Sequence, residues 1–186
     1  MLSLVQDVPE AVECDGKEYP IRTDFRVWME FEQILFSALP WQEKAVRMLV
    51  LCYAETLPDS LESALALLLD FYAGHPKRKS LPTEEKVRKR IYDFTEDADM
   101  IYAAFLAQYH IDLTTENLHW WKFLALFHSL SAKSKLMQVI RIRALDLSRV
   151  SGSEKNYYRR MKWLYRLPQD EMEEAVQPAM VLDGLI

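Results

Sequence analysis

Residues 11–39 read AVECDGKEYPIRTDFRVWMEFEQILFSAL, and two different structural patterns meet in them. In the first half, Asp15-Gly16 lies between two short runs of alternating apolar residues, which is the strongest short-range signal of a β-hairpin. An isolated two-stranded hairpin is only marginally stable, so it must pack against another element. The sequence therefore predicts a small hairpin at about residues 10–23, packed against another part of the chain.

The second pattern is helical and starts at Phe25. Apolar residues recur there at spacings of three and four, and Thr23 or Asp24 is suited to cap the helix. The fold class is therefore mostly α: a single-domain helical bundle of about six to eight helices, over residues 1–168, with the small N-terminal β-hairpin. Further helical stretches are residues 41–55, 60–73, 95–112, 118–130, 131–145 and 154–167, with a charged one from Thr83 to about Tyr92.

Charge is distributed unevenly along the chain. The formal net charge is −5, which is not typical of bulk nucleic-acid binding. Residues 133–166 contain ten basic and two acidic residues, whereas residues 169–186 contain five acidic and no basic ones. We expect residues 169–186 to be a flexible acidic C-terminal tail, or one ordered only against a partner. The acidic and basic segments can meet within one molecule or between copies, so a homo-oligomer is left open.

The common catalytic and metal-binding motifs are absent from the sequence. Its four glycines are too far apart for a Walker or GxGxxG loop, and no two of its four histidines stand in an HExxH arrangement. Cys14 and Cys52 form no CxxC motif and are expected to be reduced cytosolic thiols. No apolar run approaches the roughly 20 residues of a membrane span. We therefore predict a non-enzymatic protein with no cofactor and no metal, not inserted in a membrane.

One helical stretch has the composition of a binding surface. Tyr157, Tyr158, Arg159, Arg160 and Trp163 interleave aromatic rings with basic groups. This combination binds phosphates and stacks on bases in nucleic-acid-binding proteins. It also suits an acidic protein surface, and the helical spacing of the aromatics fits core packing below a solvated basic face. The residues alone leave these alternatives open.

Trp120 and Trp121 are further candidates, because adjacent residues of a helix point about 100° apart. Both can be buried only in a central helix, and an exposed tryptophan is the better candidate for a partner contact. We expect aromatic contacts with the arginines at a polar rim. The candidate protein-binding residues are Trp120, Trp121, Tyr157, Tyr158, Arg159, Arg160 and Trp163.

Three blocks of the sequence resemble the bacteriophage protein family known as gene product fifteen. They are VECDGKEYPIRTDFRVWMEFE at 12–32, LHWWKFLALFHSLSAKSKLMQVIRIRALDLS at 118–148, and EKNYYRRMKWLYRLP at 154–168. The spacing between the blocks also fits the family. The similarity covers about residues 8–168, nearly the whole chain.

The resemblance implies a role in building phage tails. Members of the family are encoded in the tail module of phages and prophages of Gram-positive bacteria with long non-contractile tails, typically just upstream of the tape measure gene. The resemblance implies a tail assembly chaperone in the cytoplasm of the bacterial host. Its partners would be the long, largely helical tape measure protein, which it keeps soluble, and the tail tube protein. Two alternatives stay open: a structural minor tail protein retained in the virion, and a nucleic-acid or host-factor binding module that uses residues 133–166.

Overall fold

The computed structural model describes residues 7–74 and 90–168, so the predicted acidic tail at 169–186 lies outside the described residues. Within the described ranges the chain is mostly helical, with seven α-helices and one two-stranded antiparallel sheet, which confirms the predicted fold class. The elements are β1 (Ala11–Cys14), β2 (Lys17–Pro20), α1 (Phe25–Phe36), α2 (Trp41–Cys52), α3 (Leu61–Tyr72), α4 (Ala98–Tyr109), α5 (Trp120–His128), α6 (Lys135–Ala144) and α7 (Gly152–Leu164).

The chain divides into two compact units, each made of two segments. The first comprises Met1–Glu84 and Ile111–Ser129 and contains the hairpin with α1, α2, α3 and α5. The second comprises Glu85–His110 and Leu130–Ile186 and contains α4, α6 and α7. The single domain over residues 1–168 stays a prediction. In the part of the chain that the structure describes, no helix has the length and apolar character needed to cross a membrane.

The hairpin forms as predicted, with its turn at Asp15-Gly16. Both turn residues have left-handed backbone conformations, with φ of 52° and 75°, as a type I′ turn requires. The turn sets the register, so Val12 pairs with Tyr19 across the ladder, and these two are the buried side chains of the sheet. The hairpin thus has one apolar face, and α3 packs against β1.

Helix α1 begins where the sequence predicts, because Asp24 caps it. The Asp24 carboxylate accepts the backbone N–H of Arg26 at 2.9 Å. The Arg26 guanidinium in turn donates to the carbonyls of Leu113 and Glu116 at 2.7 and 2.9 Å. These bonds anchor the segment that precedes α5 to the start of α1.

A distant arginine caps the C-terminal end of α2. The Arg22 guanidinium donates to the carbonyls of Val50, Leu51 and Tyr53 at 3.1, 2.8 and 2.8 Å. These carbonyls belong to the helix end, where backbone acceptors lack intrahelical partners. A cation is also favoured there by the helix dipole. Arg22 therefore joins the segment after the hairpin to α2.

Aromatic side chains from α1, α3 and α5 form the core of the first unit. Trp28 is completely buried, and its ring centroid lies 4.7 Å from that of Phe71 and 6.4 Å from that of Trp120. Phe25 and Phe123 stack with centroids 5.0 Å apart and planes 10° apart. Aromatic rings bury large apolar areas, so we expect this cluster to supply much of the stability of the first unit.

In the second unit, α4 packs against α6. Each helix buries apolar side chains, among them Phe105 on α4 and Leu136 on α6, which are both fully buried. A buried ion pair reinforces this packing. The Nη1 and Nη2 atoms of Arg143 donate to the two carboxylate oxygens of Asp97 at 2.6 and 2.9 Å. Asp97 also accepts the backbone N–H of Asp93 at 3.0 Å. The pair therefore joins α6 to the turn that precedes α4.

The start of α4 differs from the prediction. The charged helix predicted from Thr83 to Tyr92 lies mostly outside the described residues, but its last three residues are described and are not helical. The Asp93 side chain accepts the backbone N–H groups of Thr95 and Glu96 at 2.8 and 3.1 Å. Such local side-chain bonds offer the backbone an alternative to a helix. Helix α4 therefore begins after this turn rather than at Thr95.

The start of α6 was also predicted wrongly. The sequence placed it at Ser131, whereas the helix begins at Lys135. Ser134 is the N-cap, because its hydroxyl accepts the backbone N–H of Met137 at 3.3 Å.

Candidate protein-binding surface

Helix α7 is strongly exposed for a helix with large apolar side chains. None of its thirteen residues is buried, and Tyr157, Trp163 and Leu164 are 52%, 64% and 60% exposed. Tyr157, Arg160 and Leu164 are spaced three and four residues apart, so they share one face of the helix. Clustered apolar side chains with a polar neighbour are typical of protein contact sites.

Basic groups accompany these aromatic rings. The guanidinium of Arg166 lies 4.9 Å from the ring centre of Trp163, within the range of a cation–π contact. Arg159 donates to the side-chain oxygen of Asn156 at 2.9 Å. Arg160 forms no hydrogen bond or ion pair with another described residue. The exposed side of α7 is thus aromatic and basic at the same time.

A groove with a volume of about 580 Å³ lies between α6, α7 and the short 3-10 helix Leu147–Arg149 that joins them. Ile142, Leu145 and Val150 supply its apolar lining, and Tyr157 and Tyr158 its aromatic lining. The two tyrosine rings meet edge to face, with centroids 5.3 Å apart. We call this groove, together with the exposed side chains of α7, the basic-aromatic surface.

The charged side chains that line the groove are those of Arg141, Arg149 and Glu154. The Nε atom of Arg149 lies 3.6 Å from the Asp146 carboxylate. Hydrogen bonds from the backbone N–H and the hydroxyl of Ser148 hold the pKa of Asp146 below its ordinary value, so this carboxylate is charged at neutral pH and offsets part of the charge of Arg149. Arg141 forms no hydrogen bond or ion pair with another described residue. Arg141 is therefore available to an anionic group of a partner.

The walls of the groove are held together at one end. The ammonium group of Lys162 on α7 donates to the carbonyls of Arg143 and Leu145, each at 2.6 Å, and so caps the C-terminal end of α6. The Nε atom of Arg143 donates to the carbonyl of Tyr165 at 2.5 Å. These bonds fix α7 against α6, so the groove is formed before any partner binds.

The adjacent tryptophans lie in the first unit and make structural contacts. Trp120 is 1% exposed, and its indole N–H donates to the carbonyl of Tyr72 at 2.9 Å. Trp121 is half-buried; its indole N–H donates to the carbonyl of Phe71 at 2.9 Å, and the two rings stack at 5.0 Å. Its backbone N–H donates to Nδ1 of His119, the N-cap of α5. Both indole N–H groups thus donate to carbonyls at the C-terminal end of α3, so the two tryptophans are not part of the basic-aromatic surface.

The sequence identified the exposed helix but not the groove beside it. Arg141 and Arg149 entered the prediction only as members of the basic segment 133–166. The spacing of Arg141, Ile142 and Leu145 could have indicated a shared face of α6. The other predicted contact residues all lie on α7: Tyr157, Tyr158, Arg159, Arg160 and Trp163.

The buried cysteine has the environment of a core residue. Cys52 is fully buried, and burial raises the pKa of its thiol to about 12, so it stays protonated at neutral pH. Across residues 7–74 and 90–168, no group of three or more His, Cys, Asp or Glu side chains is arranged to hold a metal ion.

Comparison with known proteins gives one kind of match. A family model described as Bacteriophage Gp15 protein matches residues 4–167. This range includes both strands and all seven described helices. No curated protein and no solved structure matches the chain.

Proposed function

The chain belongs to the bacteriophage Gp15 protein family, which indicates a phage structural or assembly protein, and we propose that it is a tail assembly chaperone that binds the tape measure protein. It acts in the cytoplasm of the bacterial host, without a catalytic step, a cofactor or a metal. The tail tube protein is a second partner, brought to the tape measure protein in the same complex.

The exposure of α7 is the observation that supports this proposal. A tape measure protein is long and largely helical, so before assembly it presents helices with uncovered apolar stripes. Tyr157 and Leu164 share a face of α7 that such a stripe can cover, in the manner of a helix laid against an apolar groove. The exposed Trp163 lies beside this face, about 100° around the helix from Leu164. Arg141 and Arg160 would meet acidic residues along the edge of the incoming helix.

The expected complex is reversible. Burying a large apolar side chain contributes about 1.5–3 kcal/mol. Because Tyr157, Trp163 and Leu164 each have more than half of their surface left to cover, their burial would contribute roughly 3–5 kcal/mol together. Association itself costs at least about 4 kcal/mol, so most of the net binding free energy must come from contacts with the groove and the arginines. A chaperone that later releases its partner requires such a balance.

Co-expression with the tape measure protein of the same phage genome tests the proposal. We expect the tape measure protein to be insoluble alone and soluble in a complex that co-purifies with this chain. Less complex should co-purify with the variant R141Q/R160Q than with wild type. The control variant K17Q/R47Q loses the same charge in the first unit, and as much complex should co-purify with it as with wild type. An equally insoluble tape measure protein, with and without this chain, would contradict the proposal.

Two measurements separate the alternatives. Mass spectrometry of purified virions should not detect the chain if it is a chaperone, and would detect it if it is a minor tail protein. A nucleic-acid binder would lose affinity steeply as salt increases, since phosphate contacts release counterions. We expect no such binding at physiological salt.

A further inference from the structure

The described chain ends beside the basic-aromatic surface, and an acidic segment comes directly after it. Residues 169–186 contain five acidic residues, no basic ones, and several apolar ones that include Met172 and Val176. The described residues stop at Pro168, four residues after the end of α7. An acidic and partly apolar segment is therefore attached directly to a basic surface with exposed apolar rings.

The segment is long enough to cover this surface. Eighteen residues span up to about 60 Å when extended, whereas a helix of the length of α7 is about 20 Å long. Attachment through a few residues also makes the local concentration of the segment high, of the order of millimolar. Neither distance nor dilution prevents contact along the whole of α7.

The charges and apolar groups of the two are complementary. Arg141 and Arg160 have no hydrogen bond or ion pair with another described residue. Tyr157, Trp163 and Leu164 are more than half exposed in the described structure. Four of the acidic residues of the segment are clustered at its start, in Asp-Glu-Met-Glu-Glu at 170–174, so carboxylates and an apolar side chain are close together in the sequence, as a partner of such a surface requires.

We propose that residues 169–186 occupy the basic-aromatic surface in the free protein and are displaced when a partner binds there. The docked segment covers the apolar side chains of α7 until the partner binds. Because only molecules with an undocked segment can bind the partner, the apparent affinity is reduced in proportion to the docked fraction. The docking of the segment is inferred only from the opposite charges of the segment and the surface and from the exposed side chains of α7. Its displacement by the tape measure protein rests on the proposed function.

A charge-neutralised variant of the full chain tests the docking. The variant D170N/E171Q/E173Q/E174Q removes four negative charges from the segment. The matched control E10Q/E13Q/E18Q/E55Q removes four charges from exposed positions of the first unit. The readout is the indole N–H signal of Trp163 in nitrogen-15 NMR spectra, which the variant W163F assigns.

We expect the Trp163 signal to shift in the charge-neutralised variant and to stay in place in the control. The same shift should appear in the wild-type protein when salt is raised to about 0.5 M, because salt at this level screens charges beyond a few ångströms. A Trp163 signal that is identical in all three proteins and insensitive to salt would overturn the proposal.

Affinity for the tape measure protein separates this proposal from the proposed function. The charge-neutralised variant should bind about three- to tenfold more tightly than wild type, and the control should bind like wild type. Shifted Trp163 signals without any tape measure binding would refute the proposed function and leave the docked segment standing. Tape measure binding that is equal in all three proteins, with unshifted signals, would refute only the docked segment.

Discussion

The buried ion pair between Asp97 and Arg143 should be one of the main contributors to the stability of the second unit. Asp97 and the Arg143 side chain are 1% and 8% exposed, and two hydrogen bonds of 2.6 and 2.9 Å join them. Asp97→Asn would leave the guanidinium buried without its counter-charge. Removing one partner of a buried pair typically costs about 3–5 kcal/mol, which is a large part of a total stability of about 5–15 kcal/mol.

Urea unfolding followed by far-ultraviolet circular dichroism measures this loss. With a slope of about 2 kcal/mol per molar urea, the midpoint should fall by roughly 1.5–2.5 M. Native-state hydrogen exchange would assign the loss to α4 and α6, whose amides should exchange faster while those of α1 and α5 do not.

A surface pair of the same length is the matched control. Arg47 and Glu43 are also 2.6 Å apart, but their side chains are 55% and 44% exposed. Arg47→Gln should therefore cost less than about 1 kcal/mol. The double variant D97A/R143M should lose less stability than D97N, because it leaves no unpaired charge. A loss for D97N no larger than that for R47Q would refute this account of the second unit.

Three further predictions concern single positions. Burial lowers the pKa of His119 below its ordinary 6.5, so the unfolded chain binds a proton at a higher pH than the folded chain does. The free energy of unfolding should therefore drop as the pH falls through about 6.5 and level off below the folded-state pKa. In urea midpoints measured across a pH series, His119→Asn, which keeps an acceptor at the cap, should remove this pH dependence. A thiol reagent at pH 8 should label Cys14 quickly and Cys52 only on unfolding, because Cys52 is buried with a pKa of about 12; equal rates in a stopped-flow assay would contradict its burial. Gly74→Ala should lower the free energy of unfolding more than Gly152→Ala does. Both glycines have positive φ, which alone costs an alanine about 1–2 kcal/mol, but only at Gly74 would the new Cβ meet another side chain, Leu124 Cδ1 at 3.2 Å. Equal urea midpoints would show that this contact relaxes without cost.

Local chemistry made much of the fold predictable. Asp15-Gly16 determined the turn type and with it the register of the hairpin, and Asp24 is the cap that the sequence suggested. The sequence also placed a helix at residues 41–55, and α2 lies within that stretch with Met48 and Cys52 buried. These features depend on residues close together in the chain, so a single sequence contains the information.

The features that were predicted wrongly or missed depend on distant partners or on competing local bonds. Asp93 forms a turn that replaces the start of a helix, and no periodicity distinguishes the two. Asp97 lies near the start of the helical stretch predicted at residues 95–112, and only the fold brings Arg143 to it. His119 as a cap was not anticipated, because histidine is not among the usual N-cap residues.

The candidate site was predictable only where it depends on residues that are close together in the sequence. The candidate aromatic and basic residues of α7 lie within seven positions, 157–163, so composition singled them out. The spacing of adjacent residues could not tell whether Trp120 or Trp121 faces the core, since that depends on where α3 packs. The contribution of Arg141 to a groove requires α6 and α7 to be side by side, which only the structure provides.

The central claim is that the exposed surface of α7 binds the tape measure protein, and a titration of that protein with wild type and Trp163→Ala tests it most directly. Trp163 is 64% exposed, so its replacement should leave the circular dichroism spectrum and the urea midpoint unchanged. Trp41→Ala is the matched control, because Trp41 is 51% exposed on α2 of the first unit. The account predicts that Trp163→Ala weakens binding by about tenfold or more, as expected for a tryptophan at the centre of an interface, while Trp41→Ala binds like wild type. Equal affinity of wild type and a correctly folded Trp163→Ala would contradict it.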